Sequence, residues 1–194
     1  MLDSIRVVQG LKNLSSTIKK VTEDYDGLDD LDIIIDTMRE CLRNGGTLFF
    51  IGNGGSAADA QHIAAEYVVR YKDNTQKALR AIALTTDSSI LTAGANDMGF
   101  PFIFSRQLEA LGHINDVLIV HSTSGNSQNC ILAVRKAHEL GMLAIGFLGY
   151  SGGILKQFVD YQFRVPSIEA SHIQEIHLAV QHQIAEILTQ EYSS

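Results

Sequence analysis

The chain predicts an α/β protein, a three-layer sandwich of helices, a five-stranded parallel sheet and more helices. Three observations carry this. Five short apolar runs alternate with helical stretches along the 194 residues, two of those runs end in glycine- and serine-rich loops that lead straight into helix, and no linker, charge block or internal repeat interrupts the order. Strands that alternate with helices pair in parallel and are covered on both faces. A single domain over 1–194 follows, with 1–44 as a helical pair in front of the sheet.

Ile5, Val8, Leu11, Leu14, Ile18 and Val21 recur at helical spacing and predict a helix over 3–22. Leu31, Ile34, Ile35, Met38 and Leu42 predict a second over 28–43, which Asn44-Gly45-Gly46 ends. The first strand is expected at 47–52, with others at 79–84, 116–121, 142–148 and 160–165. Helices are expected at 57–71, 100–111 and 128–140, and a final amphipathic one at 172–191. The two front helices are extra to the sheet, and their apolar faces are covered either within the chain or by another copy of it.

A formal charge of −7 argues against broad nucleic-acid or anionic-membrane binding, which needs a basic face to release counterions. No apolar run approaches the roughly 20 residues that span a bilayer. Residues Met1 to Arg6 lack the basic and apolar regions of a secretion signal, so a cytoplasmic protein without membrane partners is expected. Cys41 and Cys130, far apart and each in a helical stretch, are read as reduced buried thiols.

The chemistry begins in the two loops. Gly52-Asn53-Gly54-Gly55-Ser56 follows a strand and opens a helix; its glycines allow positive φ and close backbone approach, while Asn53 and Ser56 can donate hydrogen bonds or cap the helix. Ser122-Thr123-Ser124-Gly125-Asn126-Ser127 crowds four hydroxyls around a glycine at another strand end. Donors at a helix N-terminus match the acceptors and charge of a phosphate, so both loops point to a phosphorylated small molecule. Neither loop carries a Walker A sequence or the full dinucleotide fingerprint, so ATP and NAD are not expected.

Past the first loop, His62 and Glu66 stand four residues apart on one side of a helix and can share a metal or a proton. The last helix adds Gln174, His177, Gln181 and His182. Gln174 and His182 are eight apart, about 12 Å along an ideal helix, so one of them belongs with a different copy of the site or binds only part of the time.

Together these residues resemble the sugar isomerase (SIS) domain family, and within it the phosphoheptose isomerases. The resemblance spans nearly the whole chain and rests on Gly52-Asn53-Gly54-Gly55-Ser56, His62-x-x-x-Glu66, Gly94-Ala95-Asn96-Asp97 followed by Phe104-Ser105-Arg106, Ser122 to Ser127, Gly149 to Gly153, and Ile173-Gln174-Glu175-Ile176-His177 with His182. It implies a flavodoxin-like strand order and conversion of sedoheptulose 7-phosphate to D-glycero-D-manno-heptose 7-phosphate through an enediol, feeding lipopolysaccharide or capsule. It implies a phosphate cradle of Ser56, Ser122, Thr123, Ser124 and Ser127, with Asn53, Gly54, Gly55, Asn96, Asp97, Glu66 and Gln174 along the substrate. His62, Glu66, Gln174 and His182 match the family's zinc ligands, one zinc per subunit, and Glu66 with His182 its acid/base pair. The family is a homotetramer with sites at subunit boundaries.

Two positions depart from the family. Ser171 replaces an acidic residue often found there, and His121 stands where the family usually has an aliphatic side chain; His121 is read as a satisfied strand-end histidine. His177 is a reserve candidate for ligation or proton relay, and His113, His138 and His172 are given no role. Competing readings are a non-catalytic phosphosugar-binding or replication-initiator-associated protein of the same fold and an isomerase of another phosphosugar, such as a hexose phosphate. Joint presence of Glu66 and His182 favours the enzyme.

Overall fold

The five apolar runs become strands β1 (Leu48–Gly52), β2 (Ala81–Ala83), β3 (Val117–Ser122), β4 (Leu143–Leu148) and β5 (Tyr161–Arg164), all parallel, in the order β2-β1-β3-β4-β5. This is the flavodoxin-like order. The computed structural model describes residues 3–23, 28–72 and 74–192. Helices α1 (Asp3–Glu23) and α2 (Leu28–Arg43) precede β1, α3 (Gly55–Val68), α4 (Ser88–Asp97), α5 (Ser105–Leu111) and α6 (Gln128–Glu139) run between strands, and α7 (Ala170–Gln190) follows β5.

Period-two alternation divides the strand side chains between two cores. Leu48, Phe50, Val117, Ile119, Ile145 and Phe147 pack with α2, α3 and α7 through Ile34, Met38, Ile63, Tyr67, Ile176 and Leu188. Phe49, Ile51, Leu118, Val120 and Ala144 pack with α5 and α6 through Leu108, Ile131 and Val134. Both faces are dry, which is why these runs read as continuously apolar.

One helix was not expected. Ser88–Asp97 forms α4, started by Asp87, whose Oδ1 accepts from the Ile90 N–H at 2.9 Å. The helix expected over 100–111 is divided. Gly99 at φ +96° turns the chain, a 3-10 turn covers Phe100–Phe102 with Pro101 in it, and α5 starts only at Ser105.

Helix α1 lies against α7 with Leu14, Thr17 and Val21 turned inward, and leaves Ile5, Val7, Val8, Leu11 and Ile18 exposed. Cys41 and Cys130 are free and buried, as expected. Among the described residues no helix is long and apolar enough to cross a membrane.

Candidate active site

Strands β1 and β3 lie side by side, with Gly52 in register with His121, and the chain leaves them toward opposite edges of the sheet. Such a switch point opens a crevice at the carboxyl ends of the two strands. Both signature loops sit there, and α3 and α6 begin from them with N–H groups directed into it.

In the first loop Gly54 takes φ +57°. A side chain on Gly55 would come within 2.6 Å of Oε1 of Gln174, so the glycine lets α7 approach the turn. Of the two uses expected for Asn53, donating a hydrogen bond or capping α3, the structure shows the first: no side chain caps the helix. The Asn53 amide pairs reciprocally with Asn129 of α6, at 2.9 and 2.8 Å, and ties the two loops together.

The serine loop is held from within and from behind. Ser122 Oγ accepts from the Gly125 N–H at 3.1 Å, and Ser124 Oγ accepts from the Asn126 N–H at 3.1 Å. Gly125, at φ +66°, packs on the backbone of Gly152 and Gly153 so tightly that no side chain fits, and the Leu155 N–H donates to its carbonyl at 2.9 Å. Ser127 stands at the N-cap of α6, and its hydroxyl makes no capping bond. Ser122 is buried, Thr123 and Ser127 half-buried and Ser124 exposed; Ser56 is buried at the start of α3.

Helices α3 and α7 pack together and bring three side chains to one point. His62 Nε2 is 2.9 Å from His182 Nε2 and 3.3 Å from Glu66 Oε1, and one donor atom from each of the three lies within 4.8 Å of the others. His62 is exposed, Glu66 and His182 half-buried. Burial, then the nearby His62, lowers the pKa of His182, with Glu66 pulling the other way. Two imidazole nitrogens and a carboxylate oxygen are a donor set suited to Zn²⁺.

Two neighbours of this cluster carry no signal in the sequence. The Tyr71 ring stacks on His182, centroids 5.5 Å apart. Asp59, one turn before His62, is half-buried with Oδ2 unpartnered, and burial pushes its carboxyl up to about 6 against the pull of His62. Gln174 does not join the three; it lies against Gly55, two turns from His182. Asn96 and Asp97 are exposed at the end of α4, the Asn96 amide donating to Asp97 at 2.7 Å.

The sequence matches the family described as SIS domain over residues 11–149. It is 53% identical over 149 residues, 77% of this chain and 80% of the relative, to a phosphoheptose isomerase of Campylobacter jejuni subsp. jejuni serotype O:6. The fold is similar to that of a phosphoheptose isomerase from Neisseria gonorrhoeae, at TM-score 0.89 and 37% identity over 97% of this chain and 100% of that one. It is also similar to one from Francisella tularensis, at TM-score 0.92 and 33% identity over 98% and 100%.

Proposed function

Since the chain belongs to the SIS domain family, and within it to the phosphoheptose isomerases, we propose that it interconverts sedoheptulose 7-phosphate and D-glycero-D-manno-heptose 7-phosphate through an enediol. The product would serve heptose biosynthesis for lipopolysaccharide or capsule. The observation that carries the reading is the meeting of His62, Glu66 and His182 on the pair of helices whose N-terminal parts, at Gly55 and Gln174, touch at the crevice between the two loops.

An aldose–ketose exchange moves a proton between C1 and C2. It needs a base at carbon, an acid at the oxygens and stabilisation of the developing negative charge. Ser56, Ser122, Thr123, Ser124 and Ser127, with the backbone at Gly54 and Gly55, hold the phosphate end. Asn53, Asn96, Asp97 and Gln174 line the sugar, Asn53 through the clamp it makes with Asn129. Glu66 takes the proton from carbon while His182 serves the oxygens, and Tyr71 keeps the His182 ring in its plane. His62, Glu66 and His182 would hold one zinc per subunit, which as a Lewis acid supplies the charge stabilisation. A carboxylate bound to a metal is a poorer base, so with zinc held there Glu66 would do both only by swinging between ligation and proton transfer, unless the resting metal geometry differed from the reacting one. Gln174 acts on the substrate in its own chain, and a ligand role for it falls to the cluster of a neighbouring subunit.

The exposed apolar face of α1 supports assembly of copies, here read as a homotetramer. A sugar-phosphate substrate supports a cytoplasmic location. Incubation with sedoheptulose 7-phosphate and detection of an aldose product tests the reading; a ketose recovered unchanged under all metal conditions rejects it.

A further inference from the structure

The core behind the site holds polar groups that the isomerisation does not use. His121, His177 and Gln181 are almost fully buried, at 1%, 0% and 0% exposure. Gln181 Nε2 lies 3.2 Å from His121 Nε2, and the His177 ring nitrogen Nε2 donates to the Leu148 carbonyl at 3.1 Å. One hydrogen bond joins the Gln181 amide to the His121 ring, its direction set by the ring's tautomer, and His121 Nδ1 and Gln181 Oε1 are buried without another partner. The two imidazoles face each other at 6.0 Å, His121 also stacks on Phe50, and Phe147 meets both rings edge-on.

What these bonds join gives them a use. His121 is the residue before Ser122, at the end of β3, and pairs with Gly52 where the glycine turn starts. Leu148 is the last residue of β4, just before the Gly149 to Gly153 segment that backs the serine loop. Gln181 immediately precedes His182, and His177 is one turn earlier on α7. Apolar packing is non-directional and holds α7 to the sheet without choosing its axial position, whereas a buried hydrogen bond tolerates little displacement.

We propose that the His121–Gln181 bond is a buried strut that sets the distance between the serine loop and the His62, Glu66 and His182 cluster, making His121 and Gln181 positioning residues for the isomerisation. The proposal rests on the isomerase reading above. Reacting groups misplaced by about 1 Å lose turnover on the order of 100-fold while each binding element still works alone.

The test measures kcat and KM for sedoheptulose 7-phosphate, inhibition by inorganic phosphate, and Zn²⁺ affinity, for wild type, Gln181→Leu, His121→Gln and the exchanged pair His121→Gln with Gln181→His. The expected result is a kcat about 10–100-fold lower in each single variant. Phosphate inhibition and Zn²⁺ affinity stay within about twofold of wild type, and the exchanged pair recovers at least part of kcat. If Gln181→Leu does not fold, Gln181→Asn takes its place with the same expectation. Folded single variants with wild-type kcat, or a kcat loss matched by equal losses in phosphate and Zn²⁺ binding, overturn the strut. Absence of turnover in wild type rejects the isomerase reading instead, and the strut with it.

Discussion

His62 and His182, separated by 120 residues in sequence, bring their Nε2 atoms to 2.9 Å. Two ring nitrogens at that distance share either one proton or one cation. Glu66, 3.3 Å from His62, adds a negative oxygen to the same point. A site that gathers two imidazoles and a carboxylate on the helices beside the glycine and serine loops has the parts an enediol reaction needs: a base, an acid and a place for positive charge.

Replacing the carboxylate isolates the proton step. Glu66→Gln is expected to lower kcat by about 10²–10⁴-fold while the fold and inhibition by inorganic phosphate stay near wild type. Steady-state kinetics with circular dichroism check this. Wild-type turnover in the variant removes Glu66 from the chemistry.

Gly125→Ala attacks the phosphate end. The left-handed backbone alone costs about 1–2 kcal/mol for a residue with a Cβ, and the methyl group would meet the Gly152 carbonyl, so the serine loop must shift. KM for the sugar phosphate should rise about tenfold or more, since each 1.4 kcal/mol is a factor of ten. An unchanged KM and an unchanged phosphate inhibition constant would mean that this loop does not hold the phosphate.

Acid should loosen the core around the buried histidines. Burial lowers the pKa of His121 to about 3, helped by His177, and burial lowers that of His177 to about 4 although its bond to Leu148 opposes this. Above the unfolded value of about 6.5 both states are neutral; below it the unfolded chain binds protons that the native chain refuses. Stability therefore falls with pH from about 6.5 down to the folded values, by up to about 1.4 kcal/mol per pH unit for each histidine. Asp59, whose carboxyl burial raises to about 6, opposes the drop equally in both proteins, so urea unfolding at pH 7.5 and 5 should show a smaller drop in His121→Ile than in wild type. Equal drops in both proteins would remove His121 as a source.

The exposed stripe on α1 gives an assembly test. Leu11, 62% exposed, lies on it with Ile5, Val8 and Ile18. Leu11→Glu should reduce the sedimentation mass of the particle without altering the helical circular dichroism of the subunit. An unchanged mass would place the subunit contact elsewhere.

The parallel sheet was legible because its strands are buried on both faces: runs such as Val117 to Val120 have no polar interruption, and each is followed by turn residues. The His62 and Glu66 pair was legible for a local reason, since four residues is about one helical turn. Helix α4 was not, because Ser88–Asp97 carries small and polar residues without an apolar stripe and depends on the Asp87 cap. His182 stood out as one of two imidazoles on the last helix, but its pairing with His62 and Glu66 came from the family resemblance, as nothing local ties it to a residue 120 positions earlier. Asn129, Tyr71 and Gln181 act through partners supplied by other elements. His121 stood out as an unusual residue at a strand end, but its bond to Gln181 is a product of the tertiary packing.

A metal-assisted proton-transfer site at His62, Glu66 and His182 ties turnover to the metal those residues would hold. The most direct measurement follows conversion of sedoheptulose 7-phosphate to its aldose while metal content is determined on the same sample. Turnover is expected to track bound zinc, disappearing on chelation and returning when about one zinc per subunit is restored. Unchanged turnover after verified removal of the metal would contradict it.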